Sequence, residues 1–291
     1  DILTLANTLM PYLDRIEPFW EQAAASYIAF LISYCLEALV PDEHNMVGLC
    51  KLHQTFIKPG GELSFMEWVE RNPDTFAAKK YHKIESITKA DRTWSCILEF
   101  ANRAFDPFEF KEVHHIFKSD NYFDICSLGK KKTVLFLNIS DTDRTFDRLA
   151  NVFHTQALQL LCSLADSNAD GRLKVSVRII LDDFASSAVI PDFDKTISII
   201  RSREISVSII LQSLTQLETL YAPPVATTII NNCDHILYLG CQDIHTAAYI
   251  GQRLGKLPES VLAMPRDLAV LITGGEMGKV VKKILPYSTV K

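Results

Sequence analysis

The sequence predicts an α/β fold in which an all-α helical bundle is followed by a doubly wound, largely parallel sheet. Up to about residue 118 the apolar residues recur at three-to-four spacing. After the turn Gly129-Lys130 the rhythm changes to short apolar runs separated by longer helical ones. Several of these runs end on polar or small residues, as strands do when their carboxyl ends open into a ligand crevice. At 291 residues, 48% hydrophobic and 22% charged, the chain has the profile of a packed globule of one large or two ordinary domains.

The first strong helix opens at Pro18, a position where a first helical turn tolerates proline. Phe19, Ala23, Tyr27, Phe30, Leu31, Tyr34 and Ala38 then make one apolar face. Residues 23–40 carry Glu37 as their only charge, so their length reaches the lower limit for a membrane span. Acidic neighbours on both sides (Glu17, Glu21, Asp42, Glu43) and the lack of a basic flank favour a buried core helix instead. Further helical segments follow at 46–56, 63–70, 75–87 and 92–104, punctuated by Pro or Gly. In the second half, runs at 133–140 (TVLFLNIS), 175–183 (VSVRIILDD), 205–213 (ISVSIILQS), 234–240 (DHILYLG) and 268–274 (LAVLITG) read as strands buried on both faces. Helices such as 144–165 alternate with them.

The chemistry concentrates at the ends of these runs. In RIILDDFASS (178–187) a strand closes on Asp182 and Asp183, which alone would read as the cap of a following helix. The Gln212-Ser213 end of the next run adds a functional reading: a carboxylate pair that holds Mg²⁺ and activates water, beside an amide that senses a γ-phosphate. Arg201 and Arg203 lie between the two runs, either as a solvated helix end or as groups reaching a neighbouring subunit's phosphates. A phosphate-cradling G-x-x-x-x-G-K-[ST] loop is not found: Gly129-Lys130, Gly255-Lys256 and Gly278-Lys279 are followed by Lys131, Leu257 and Val280.

Other chemistries find less support. There is no G-x-S-x-G or H-E-x-x-H, and the adjacent His114 and His115 point in different directions on a helix. The seven cysteines stand singly without a C-x-x-C pair, which argues for reduced thiols in a cytosolic setting. A net charge of −5 gives no overall footprint for nucleic acid, and Lys130-Lys131-Lys132 reads first as a solvated turn.

The residues 177–221, VRIILDDFASSAVIPDFDKTISIIRSREISVSIILQSLTQLETLY, resemble the TraG-type coupling proteins of conjugation and type IV secretion, hexameric ATPases related to RecA-like and FtsK-like motors. The resemblance continues through TIINNCDHILYLGCQDIHTAAYIGQRLG (228–255), and upstream through Glu17-Pro18-Phe19-Trp20 and KKTVLFLNISDTDRTFDRLANVFHTQAL (131–158). It implies an all-α domain over 1–120, recognising cargo and relaxosome, and the C-terminal part of a RecA-like nucleotide-binding motor domain over 121–291. The family's phosphate loop and membrane anchor are then expected upstream of Asp1, and the chain by itself is not expected to bind ATP. The implied cofactors of the whole protein are ATP and Mg²⁺. The implied partners are relaxase and other relaxosome proteins, single-stranded DNA, the secretion channel and five further copies in a homo-hexamer. The implied location is the cytoplasmic side of a bacterial inner membrane.

By the same resemblance Asp182 holds Mg²⁺ through water, Asp183 polarises the attacking water and Gln212, with Ser213, meets the nucleotide. Arg201, or Arg203 in its place, acts in trans. The sequence departs from the family at Asp183, where Glu is usual, and at Glu204, where Gly is usual. A rival expectation of another class is a non-catalytic adaptor whose bundle binds partners while the α/β half serves as scaffold.

Overall fold

The computed structural model describes residues 2–11, 18–118, 123–140, 144–184 and 189–284. Ala185, Ser186 and Ser187 of the aspartate segment, and Glu17 and 141–143 of the upstream segments, lie outside the described residues. Compaction divides the chain into one unit of residues 1–167 with 189–191 and a second of 168–188 with 192–291.

The first unit is helical: α1 (Ile2–Leu9), α2 (Phe19–Ala38), α3 (Met46–Phe56), α4 (Glu62–Arg71), α5 (Phe76–Thr88), α6 (Asp91–Phe105), α7 (Lys111–Lys118) and α8 (Asp147–Asp166). Helix α2 is its axis. The spacing expected one apolar face, but Ala24, Ala25, Ile28, Ala29 and Ile32 are buried together with Tyr27, Phe30 and Leu31, whereas Phe19 is half exposed. The reason is that α1, α3, α5 and α6 all pack on α2, leaving it almost no solvent side. Tyr27 and Phe30 meet Phe56, Phe65, Tyr81 and Trp94 edge-on or tilted, at centroid distances between 5.2 and 6.1 Å. Each such fully buried ring contributes roughly 1.5–3 kcal/mol of apolar burial. Among the described residues no helix is long and apolar enough to cross a membrane.

The helix starts follow from side chains that accept orphan backbone N–H groups. Asn45 caps α3 by accepting from Val47 N (3.0 Å) and Gly48 N (3.1 Å). Thr75 accepts from Ala78 N at 3.2 Å, and Glu37 on α2 accepts from Phe76 N (3.1 Å) and Ala77 N (2.9 Å). The one charge in the apolar stretch 23–40 thus pins the start of α5.

In the second unit β1 (Val177–Leu181) pairs in parallel with β2 (Ile205–Ile209), joined through α9 (Phe193–Ile199). After β2 come α10 (Leu214–Tyr221), α11 (Pro223–Asn231), β3 (His235–Tyr238), α12 (Ile244–Leu254), α13 (Pro258–Leu262), β4 (Leu268–Thr273) and β5 (Lys279–Lys282). The expected sheet differs from the observed one in three ways. Strands β3, β4 and β5 form an antiparallel piece, and β5 was not expected at all. A hairpin turn as short as 274–278 can only reverse the chain, so β4 and β5 must be antiparallel. The run 133–140 forms no strand: among the described residues it has no ladder partner, and Val134 (77%) and Phe136 (84%) face solvent. Apolar, β-branched sequence cannot make a strand without a neighbour to share its N–H and C=O groups.

Tyr27, His53 and Asn102 form the polar connection inside the helical core. His53 is 2% exposed and stacks on Phe105 at 4.6 Å. Its Nε2 donates to Asn102 Oδ1 at 2.8 Å, which leaves Nδ1 to accept from the Tyr27 hydroxyl at 2.9 Å. Burial lowers the His53 pKa, against the opposing pull of Asn102, Glu109 and Asp106. A proton on Nδ1 would leave the buried Tyr27 hydroxyl without its acceptor. The folded state therefore holds the neutral ring at pH values where the unfolded chain already takes up a proton. This contribution is complete above the ordinary histidine value and is lost as pH falls below it toward the lowered folded value. Trp20, Trp68 and Trp94 all lie in this unit, so tryptophan fluorescence follows its unfolding alone. Between about pH 7 and pH 5 the unfolding midpoint of wild type should fall more steeply than that of His53→Gln; parallel slopes would show that His53 does not carry the dependence.

Candidate active site

The site lies in the second unit, at the carboxyl ends of β1 and β2. The parallel ladder continues past both strands: Ile210 N donates to Leu181 O at 3.0 Å, and Phe184 N donates to Ile210 O at 3.2 Å. Asp182 and Asp183 are caught between these two bonds and stand exposed in the resulting turn. Phe184 anchors the turn from below, 2% exposed, stacked on Tyr221 at 5.7 Å and 17° and tilted against Phe193 at 5.1 Å. Asp183 has φ of +46°, a left-handed conformation that costs a non-glycine residue roughly 1 kcal/mol or more. Asp is among the residues that tolerate it, and its N–H donates to Asp182 Oδ1 at 3.1 Å.

Gln212 reaches this turn from the second strand. Its Nε2 donates to Asp183 Oδ1 at 3.3 Å, and its Oε1 accepts from Gln216 Nε2 at 3.3 Å. Ser213 caps α10, its Oγ accepting from Gln216 N at 3.3 Å. The first turn of α10 thus starts beside two carboxylates, with the partial positive charge of a helix amino end at the same place. Among the described residues no group of three or more His, Cys, Asp or Glu side chains could hold a metal ion by itself. A hard cation bound at Asp182 would need most of its ligands from water and from phosphate oxygens, which is the way Mg²⁺ is held beside nucleotides.

The structure brings Asp182, Asp183, Gln212 and Ser213 together and leaves Arg201 and Arg203 apart from them. The register Val177↔Ile205 to Leu181↔Ile209 puts the aspartates beyond one end of the strand pair and the arginines before the other. At about 3.3 Å per residue the five-residue strands separate the two ends by roughly 13 Å or more. Arg201 and Arg203 sit in the 3₁₀ turn Ile200–Arg203, where Arg203 Nη1 donates to Ile199 O at 3.0 Å. Arg201 is exposed in a shallow depression of about 710 Å³ that Arg172, Ser176, Ser202 and Glu204 also line. Glu204 turns the chain with φ of +64°, and its carboxylate binds Arg172 Nη1 (3.0 Å) and Ser176 Oγ (3.1 Å). The departure from glycine at 204 is thus accommodated by an ion pair of its own with Arg172.

Thr246 and Asp243 also belong to the site's support and were missed from the sequence. Asp243 caps α12, accepting from Thr246 N at 2.9 Å, and the same carboxylate accepts from Thr215 Oγ1 at 3.0 Å. The Asp-x-x-Thr spacing at a strand-to-helix junction signals a cap, but nothing local signals its reach to α10.

Residues 1–257 match the family described as type IV secretory system conjugative DNA transfer. The chain belongs to that family. Among solved structures it is similar to the bacterial conjugative coupling protein TrwBdeltaN70 in its unbound monoclinic form, at 16% identity and a TM-score of 0.68, over 97% of this chain and 67% of that one. Plasmid coupling protein TrwB in complex with the non-hydrolysable GTP analogue GDPNP gives 16%, 0.69, 97% and 68%, and its complex with ADP and Mg²⁺ gives 16%, 0.67, 97% and 67%. At this identity the likeness is one of fold. No curated protein matches the chain.

Proposed function

We propose that this chain supplies the hydrolytic edge of a nucleotide site, and the cargo-recognising helical domain, of a coupling ATPase that drives single-stranded DNA or protein through a type IV secretion channel. The observation that carries the reading is the Gln212–Asp183 hydrogen bond at the carboxyl ends of two parallel strands, in a chain of the conjugative DNA transfer family. That TrwB has been seen with ADP and Mg²⁺ and with nucleotide analogues supports the choice of ligand. A RecA-like motor sheet, completed by strands outside this chain, would accommodate β1 and β2 as neighbouring strands.

The exposed pair Asp182 and Asp183 fits magnesium nucleotide, because it offers the one or two carboxylates this cation takes beside phosphate. Bound there, Mg²⁺ would neutralise developing charge on the phosphates. Asp182 would hold the cation through water. Asp183 accepts a proton from the attacking water; its left-handed backbone fixes the direction its carboxylate faces, and the Gln212 amide occupies that carboxylate until nucleotide binds. Gln212 exchanges its bond to Asp183 for one to the terminal phosphate, so the carboxylate is released to water only when nucleotide is in place. Arg201, remote from the aspartates of its own chain, acts on the nucleotide of a neighbouring subunit in a homo-hexamer, with Arg203 as the alternative. The helical unit meets relaxase or other relaxosome proteins through basic side chains such as Lys79, Lys83 and Arg92. The assembly is anchored on the cytoplasmic side of a bacterial inner membrane.

In the intact coupling protein, Asp182→Ala should abolish ATP hydrolysis. Asp183→Asn should lower kcat by about 10²-fold while nucleotide still binds. Mixing Asp182→Ala with Arg201→Ala subunits should restore turnover at interfaces that pair two good halves. Full activity in both aspartate variants overturns the reading, and mixed assemblies without rescue overturn the role of Arg201 in trans. Capture of a relaxase by this chain should weaken as salt rises, since exposed charges are screened over about 8 Å at physiological ionic strength; no capture at any salt would reduce the helical unit to a structural insertion.

A further inference from the structure

The backbone around Gln212 is held from two sides. On the strand side, Ile210 is bonded to Leu181 and Phe184. On the helix side, Leu214 N donates to Thr246 Oγ1 at 2.9 Å, across from α10 to α12. Only Leu211, Gln212 and Ser213 lie between these anchors. Leu214 N is one of the orphan donors at a helix start that the helix's own cap does not reach, because Ser213 Oγ is used on Gln216 N. Thr246 is 6% exposed and serves as a link: it accepts from Leu214 and donates through its own hydroxyl to Asp243 Oδ2 at 2.5 Å. Asp243 also takes the Thr215 hydroxyl, so one carboxylate gathers the starts of both helices. Hydrogen bonds from Thr246, first of all, hold the Asp243 pKa below the ordinary aspartate value.

We infer that Thr246 and Asp243 are positioning residues for hydrolysis: the bond of Thr246 to Leu214, with Asp243 fixing the Thr246 hydroxyl, sets the Gln212 amide at the distance from Asp183 at which it can trade carboxylate for phosphate. The inference rests on the reading of Asp183 and Gln212 given above. It adds that the loop after β3, remote in sequence from both aspartates, controls turnover. A helix cap that only stabilised the fold would lower the melting temperature and leave the rate per folded enzyme unchanged. A positioning role lowers kcat with little change in KM for ATP, because the contact matters at the reacting water more than in ground-state binding.

The variants are Thr246→Val, which keeps the shape and removes the hydroxyl, Thr246→Ser, which keeps the hydroxyl, and Asp243→Asn. In this chain, hydrogen exchange at the Leu214 amide should quicken in Thr246→Val and stay slow in Thr246→Ser. In the intact coupling protein, Thr246→Val should lose about tenfold or more in kcat with KM within about twofold, as sub-ångström to 1 Å misplacement of a catalytic group does. Thr246→Ser should recover most of the rate, and Asp243→Asn should fall between the two. An unchanged kcat in Thr246→Val with an unprotected Leu214 amide would overturn the inference, as would an amide that stays protected. If Thr246→Val fails to fold, the contrast between Thr246→Ser and Asp243→Asn decides. Failure of the underlying reading would show separately, as hydrolysis that survives Asp182→Ala.

Discussion

Parallel pairing of β1 with β2 is the constraint from which the candidate site follows. It is the register Leu181↔Ile209, prolonged by the bonds of Ile210 to Leu181 and Phe184, that brings the end of one strand beside the end of the other. A shift of one residue in β2 would turn its side chains to the opposite face and carry Gln212 away from Asp183. Several features then serve to hold that register. Phe184 is driven into an aromatic nest with Phe193 and Tyr221, so the turn bearing the aspartates cannot lift without exposing a buried ring. At the opposite end, Glu204 bends the chain into β2 and is bonded back to Arg172 and Ser176 just ahead of β1. The strand pair is fastened at both ends, and the exposed carboxylates are carried on a rigid base.

The helical unit solves a different problem. A helix as apolar as α2 would be insoluble on a surface, and the bundle surrounds it with α1, α3, α5 and α6. Polar groups are taken into that core with partners of their own: Ser33 donates to the carbonyl of Ala29, and His53 is bonded to Tyr27 and Asn102. Such a close-packed interior is stiff.

Much of this was legible in the sequence because the signals were local. The helices at 46–56 and 75–87 announce themselves by their apolar spacing and by the Pro or Gly between segments, and the observed elements fall on nearly the same residues. The strand ending on Asp182 and Asp183 was readable because an apolar β-branched run meets two carboxylates abruptly. The features that escaped depend on residues distant in sequence. Residues 133–140 have the composition of a strand, but strand formation requires a neighbour that composition does not supply. Strand β5 is four residues with lysine at both ends, too short and too polar to stand out until β4 lies beside it. The grip of Asp243 and Thr246 on α10 joins residues about thirty positions apart, and no spacing rule within either helix predicts it.

The account stands on Asp182 and Gln212 facing one bound nucleotide from two neighbouring strand ends. Crystals of the intact coupling protein grown with a non-hydrolysable ATP analogue and Mn²⁺ in place of Mg²⁺ would locate the cation by its anomalous scattering. The account predicts a single peak per site about 4–5 Å from the Asp182 carboxylate, the distance of a contact through one bound water, with the Gln212 amide turned to the terminal phosphate. A peak beyond the reach of one bridging water from Asp182, or a nucleotide whose phosphates lie away from the carboxyl ends of β1 and β2, would contradict it.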